Sequence, residues 1–152
     1  MGVSTWTGPL RAGTIPNTSG TTVGQDVANV GYVVLSQSQA ITQAGTVTTA
    51  LATSIVIPAY SQIVSISVYT TTGWASSATV SVGTSATATE LVSAATGPQA
   101  VGVSALSPGT DATRTGKWIS VGTSDVRIFV LSSGGTGGVG TIVVNYVQGV
   151  AP

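Results

Sequence analysis

Eight of 152 residues carry a charge, so the material for acid–base or ionic chemistry is sparse. They are Arg11, Arg114, Lys117 and Arg127 against Asp26, Glu90, Asp111 and Asp125. The chain has no histidine and no cysteine. That removes Ser-His-Asp and Cys-His nucleophilic machinery, imidazole and thiolate metal sites, and any disulfide framework. Paired carboxylates can hydrolyse a glycoside when held about 5–9.5 Å apart. The four acids here are isolated in sequence, and nothing in their spacing brings two together. A calcium site needs several oxygen ligands, usually from clustered acids, and Asp111 and Asp125 are the only candidates. The expectation is a non-enzymatic protein with no catalytic residue, no metal and no cofactor.

Other segments suggest contact surfaces. Asp111–Trp118 holds three charges besides its tryptophan. It reads either as a solvated loop with Trp118 partly in the core, or as a polar surface anchored by Arg114 and Trp118, residue types enriched at interface hot spots. Trp74 follows a strand end and is open to the same two readings. Gly134, Gly135, Gly137 and Gly138 form a glycine-rich stretch without the Lys-Ser/Thr of a phosphate loop, and read as a hairpin loop. Asn17-Thr18-Ser19 matches a glycosylation sequon, a pattern short enough to arise by chance. Thr46-Val47-Thr48-Thr49 has the look of a flat ice-binding face, but no such period is sustained. A net charge of zero and no basic cluster argue against nucleic acid. The longest apolar run, Ile55–Tyr60, contains Pro58 and is far below the roughly 18–20 residues of a membrane-spanning helix, despite a mean hydropathy of +0.46. No secretory leader is expected either, because 1–12 lacks an apolar central stretch.

The elements that would position these residues are strands. Thr 25, Val 23, Gly 20, Ser 19 and Ala 17 make up 104 of the 152 residues, a composition that disfavours helix and favours sheet. Apolar and polar residues alternate most clearly over 62–70. Val64, Ile66 and Val68 are expected to face the core, with Ile63, Ser65, Ser67 and Tyr69 opposite. Further strands are expected near 30–39, 46–57, 78–83, 90–93, 99–106, 117–121, 126–132 and 140–148. Turn signals separate them at Pro58-Ala59, Thr72-Gly73, Gly83-Thr84, Gly97-Pro98, Pro108-Gly109 and Gly134-Gly135. Eight or nine evenly spaced strands predict an all-β fold, an antiparallel β-sandwich, most simply jelly-roll-like, with an immunoglobulin-like sandwich as the alternative.

Residues 1–26 differ from the rest. Seven glycines and prolines in this stretch predict an extended N-terminal arm with no regular strand or helix, leaving 27–152 as the sandwich domain. The arm carries Trp6, Leu10 and Arg11, which a mere tail would not need. With Trp74, Arg114 and Trp118 they form the expected partner interface. A nearly uncharged, Val/Thr-rich surface also tends to associate, and a symmetric trimer is the expected way to cover it.

Three stretches carry a family resemblance. Ile55–Tyr69 reads Ile-Val-Ile-Pro-Ala-Tyr-Ser-Gln-Ile-Val-Ser-Ile-Ser-Val-Tyr. Ala78–Ser85 reads Ala-Thr-Val-Ser-Val-Gly-Thr-Ser, and Gly137–Val147 ends in Thr-Ile-Val-Val-Asn-Tyr-Val. Over about 46–148 the chain resembles small β-sandwich structural proteins of tailed bacteriophages, most of all capsid decoration, or cement, proteins. The resemblance implies a virion protein made in the host bacterial cytoplasm. It would bind the phage major capsid protein on the outer capsid surface and clamp neighbouring subunits together. The alternative it leaves open is a carbohydrate- or receptor-binding module of a tail or fibre, with Trp74 and Trp118 as stacking platforms. Neither reading involves a nucleic acid or a membrane.

Overall fold

Strand-forming residues dominate the chain, and the fold is almost wholly β. The computed structural model describes residues 11–16, 26–43 and 49–148, with backbone alone over 11–16 and 26–32. In chain order the elements are β1 (Arg11–Pro16), β2 (Asp26–Tyr32), β3 (Val34–Thr42), β4 (Leu51–Ile57), β5 (Gln62–Thr72), β6 (Thr79–Gly83), β7 (Val92–Thr96), β8 (Gly102–Leu106), α1 (Ala112–Ile119), β9 (Val126–Ser133) and β10 (Val139–Val147).

Two four-stranded antiparallel sheets carry the core. One has the order β3-β10-β5-β8 and the other β4-β9-β6-β7. Alternation along each strand sends one set of side chains inward. Ile41, Ile63, Ile66, Val68, Leu106, Ile142, Val144 and Tyr146 come from the first sheet. They pack in one cluster with Ile55, Ile57, Val80, Val82, Val92, Ile128 and Val130 from the second. This shared core makes the two sheets a sandwich. Fully burying one such aliphatic side chain stabilises the fold by about 1.5–3 kcal/mol before entropy is counted.

The expected inward face of β5 needs one correction. Ile66 and Val68 are fully buried, but Val64 is 48% exposed and Ile63 is only 3% exposed. The cause is a β-bulge. β10 stays in step with β5 from Gly140 opposite Thr70 to Asn145 opposite Ser65, and then Tyr146 pairs with Ile63. Val64 is the extra residue, so the inward set changes parity there.

Two further expectations change. The strand expected at 117–121 is instead the end of α1, up to Ile119, and the two residues after it. Asp111 caps this helix by accepting a hydrogen bond from the Arg114 amide at 2.9 Å, and the Ser120 amide closes it on the Gly116 carbonyl. The arm is not free of regular structure either. β1 pairs antiparallel with β2 in a separate two-stranded sheet, from Arg11 opposite Tyr32 to Pro16 opposite Asp26, with an irregularity between Ala12 and Thr14. Gly13 and Pro16 are tolerated because one lies at the irregularity and the other ends the strand. Residues 1–10 and 17–25, with Trp6, Leu10 and the sequon, lie outside the described residues. Among the described residues no helix is long and apolar enough to cross a membrane.

Candidate interaction surface

Strand edges decide where a β-sandwich can meet another protein, because each edge strand offers unpaired N–H and C=O groups. Among the described residues the two sandwich sheets have four edges: β3, β4, β7 and β8. Two of them close against each other through glutamine side chains. The Gln37 amide accepts from the Val56 N–H at 3.1 Å and donates to the Val56 carbonyl at 2.6 Å. It also donates to the Tyr146 hydroxyl at 2.8 Å. Gln39 accepts from both the backbone N–H and the hydroxyl of Ser54. Alternate residues of β3 thus reproduce, with side-chain amides, the ladder that a neighbouring strand would make on β4.

The β7 edge is broken by irregular backbone. Ala94 has φ +44°, a conformation unfavourable for a residue with a Cβ, and its N–H is taken by the Ser81 hydroxyl at 2.8 Å. Pairing with β6 shifts register between Val80 and Val82. The β8 edge is different. It pairs with β5 in unbroken register from Gly102 opposite Thr70 to Leu106 opposite Ile66. No side-chain hydrogen bond among the described residues reaches its backbone. Val101, just before it, and Val103, on it, are each 69% exposed, and Tyr69, opposite Val103, is 51% exposed.

Charge is distributed as unevenly as edge protection. The strands of the β3-β10-β5-β8 sheet contain no Asp, Glu, Lys or Arg. The described charged side chains sit elsewhere: Glu90 before β7, Asp111, Arg114 and Lys117 at α1, Asp125 before β9 and Arg127 on β9. Several are committed locally. Arg114 Nε donates to the Pro108 carbonyl at 2.9 Å, and its guanidinium lies 4.0 Å from the Asp111 carboxylate. Asp111 is held below the usual carboxylate range by the Arg114 N–H, against a small burial effect, with help from the guanidinium charge. Asp125 accepts from the Ala59 N–H at 2.9 Å. Burial opposes ionisation of Glu90. Hydrogen bonds from the Ser85 hydroxyl, its own backbone, the Thr87 hydroxyl and the Thr84 amide outweigh burial and hold its carboxyl below the ordinary value. Among the described residues no three acidic, His or Cys side chains gather where a metal could sit.

The expected interface residues are scattered. Arg114 and Trp118 stand one helical turn apart on α1. Trp118 is half-buried against the core, and its indole N–H donates to the Leu91 carbonyl at 3.0 Å. Trp74 is corrected from a surface anchor to a core residue. It is 4% exposed and lies against the glycine-rich loop, where a Cβ on Gly138 would fall 2.2 Å from its Cδ1. An indole closed in this way offers no ring face to a partner or a sugar. For Arg11 only the backbone is described, in β1 opposite Tyr32, and Trp6 and Leu10 lie outside the described residues. The Val101–Val103–Tyr69 patch was missed because alternation assigns faces within a strand but not which strand ends a sheet.

No family model matches this chain, and no curated protein matches it. Among solved structures it is similar to a chain of the "Cyanophage Pam1 capsid asymmetric unit". The TM-score is 0.50 at 21% identity, covering 89% of this chain and 100% of that one. At that identity the likeness is one of fold.

Proposed function

We propose that this chain is a non-enzymatic structural protein of a bacteriophage virion, a decoration protein that binds the major capsid protein on the outer surface of the shell. The observation that carries the reading is the shared fold with a chain of a cyanophage capsid asymmetric unit, over the whole length of that chain. Two further features support it. The strand order puts the first, eighth, third and sixth sandwich strands in one sheet and the second, seventh, fourth and fifth in the other. We read this as the jelly-roll-like wrap. The chain also has very few charges, which suits hydroxyl-rich contacts with little salt dependence.

The mechanism is multivalent clamping. One small subunit makes a modest contact, and a symmetric oligomer, for which we propose three-fold closure, engages several capsid subunits at once. Trp6, Leu10, Arg11, Arg114 and Trp118 are the residues we propose at the shell contact. The alternative, a sugar- or receptor-binding module, loses one of its two stacking platforms with the burial of Trp74. We propose no cofactor, nucleic acid or membrane partner.

Cryo-EM of the native particle, with copy number from quantitative mass spectrometry, tests the proposal. Hundreds of copies spread over the shell are expected. A few copies confined to the tail would overturn the decoration reading in favour of a receptor-binding one.

A further inference from the structure

We propose that the β8 edge, with Val101, Val103 and Tyr69, is a self-association surface covered by a second copy of this chain around a rotation axis. The inference names the surface of the oligomer proposed above and rests on that reading only for the existence of self-association.

The first argument is the contrast among the four described edges of the sandwich. Proteins guard edge strands with charge, proline, bulges or a covering element. Here the backbone of β4 is capped by Gln37 and Gln39, whose side chains hold β3 against it, and β7 is interrupted at Ala94. β8 is regular, uncharged and free of proline, and no described side chain caps it. Val101 just before it and Val103 on it share the highest exposure of the described large apolar residues. Tyr69 extends that apolar surface onto β5, and Thr141 of β10 lies opposite Tyr69, so the row continues without charge.

The second argument selects the occupant. Around a rotation axis identical residues from different copies approach one another, so every charge near the axis meets its own like. Like charges brought together across an interface oppose assembly. A partner of different sequence imposes no such rule, since opposite charges could be paired across it. The whole β3-β10-β5-β8 sheet lacks charged residues, while the described charges lie at α1, before β7 and at β9. That segregation is the pattern a surface needs in order to pack beside its own copies around an axis.

The test is sedimentation of the full-length chain, without shells, at micromolar to 100 micromolar concentration. Wild type is compared with Val103→Lys, Tyr69→Lys and, as a control in the exposed loop before β9, Ser124→Lys. Both patch positions are exposed, so the patch variants should keep the wild-type circular dichroism and melting behaviour of the subunit. Wild type and Ser124→Lys should run as a multiple of the 14.9 kDa subunit, and the two patch variants as monomers. Amide exchange in β8 should be slow in the wild-type assembly and fast in Val103→Lys. An assembled wild type that both patch variants leave intact would overturn this surface while sparing the oligomer. A monomeric wild type would overturn both, and neither result bears on where the protein sits in the particle.

Discussion

Ile63 and Ile66 lie three residues apart on one strand, and both point into the core, 3% and 0% exposed. An unbroken strand would send them to opposite faces. The bulge at Val64 absorbs the odd residue, and pairing with Tyr146 of β10 fixes it there. Ile63→Ala and Ile66→Ala should each destabilise the protein by roughly 2–5 kcal/mol, as core truncations do. Val64→Ala, at a half-exposed position, should cost well under 1 kcal/mol. Urea unfolding of the three variants checks the assignment. An expensive Val64→Ala beside a cheap Ile63→Ala would mean the register is wrong.

A second prediction concerns the glycine-rich loop. Gly138 lies against the Trp74 indole and the Gln43 amide, leaving 2.2 Å to Cδ1 and 2.9 Å to Oε1 for any added Cβ. Trp74 is hemmed in, because it belongs to the core cluster and its backbone N–H is bonded to the Pro98 carbonyl at 3.0 Å. Gly138→Ala should therefore cost roughly 1–3 kcal/mol by overpacking. Gly137→Ala, at a position with open space around it but φ +102°, should cost less and through backbone strain alone. Near-UV circular dichroism separates the two, since only the first should disturb the tryptophan signal.

Glu90 gives the protein a pH dependence with a definite sign. Its carboxyl is held below the ordinary value in the folded state. A carboxyl whose folded value is depressed contributes stability above its unfolded value, near about 4.3, and loses it as pH falls through the lower folded value. At neutral pH Glu90→Gln should melt below wild type. The gap should narrow once the pH drops under about 4.3 and close when the wild-type carboxyl is protonated in both states. Melting curves of both proteins from pH 7 to pH 2.5 follow it. A gap that stays constant over that range would mean the Ser85, Thr84 and Thr87 hydrogen bonds do not depend on the charge.

Most sandwich strands were legible because β-branched residues alternate with hydroxyls and turn residues fall between them. Val126–Ser133 and Val139–Val147 lie within a residue or so of expectation. The bulge was not legible, because it depends on pairing between β5 and β10, which are far apart in sequence. The helix was missed for a different reason. Two threonines and a glycine in Ala112–Ile119 argue against helix by propensity. The signal that outweighed them was local: Asp111 stands three residues before Arg114 in N-cap position, just after the Pro108-Gly109 turn. Trp118 packing then holds a helix that is weak on its own. Of the candidate surface, Arg114 and Trp118 were visible as residue types. The edge contrast was not, because it rests on side chains reaching across from one sheet to the other.

The last prediction concerns that reach. Gln37 holds three groups at once, the Val56 N–H, the Val56 carbonyl and the Tyr146 hydroxyl. Tyr146 is 5% exposed, so its hydroxyl depends on a protein partner or a penetrating solvent molecule. Gln37→Ala strips all three and should cost about 1–3 kcal/mol, the range for leaving buried polar groups unpaired. Gln37→Glu is the sharper variant. A carboxylate can still accept from the Val56 N–H, but it has no donor for the Val56 carbonyl and sets oxygen against oxygen. It should therefore be worse than alanine at pH 7 and improve on acidification, when the protonated acid regains one donor. The residue-level readout is hydrogen exchange. The Val56 amide should exchange faster in both variants. The Ser54 amide, held by Gln39, should change little unless the two bonds act together. If the Val56 amide stays as protected as in wild type, the side-chain ladder does not guard the β4 edge. The contrast that singles out β8 would then lose one of its supports.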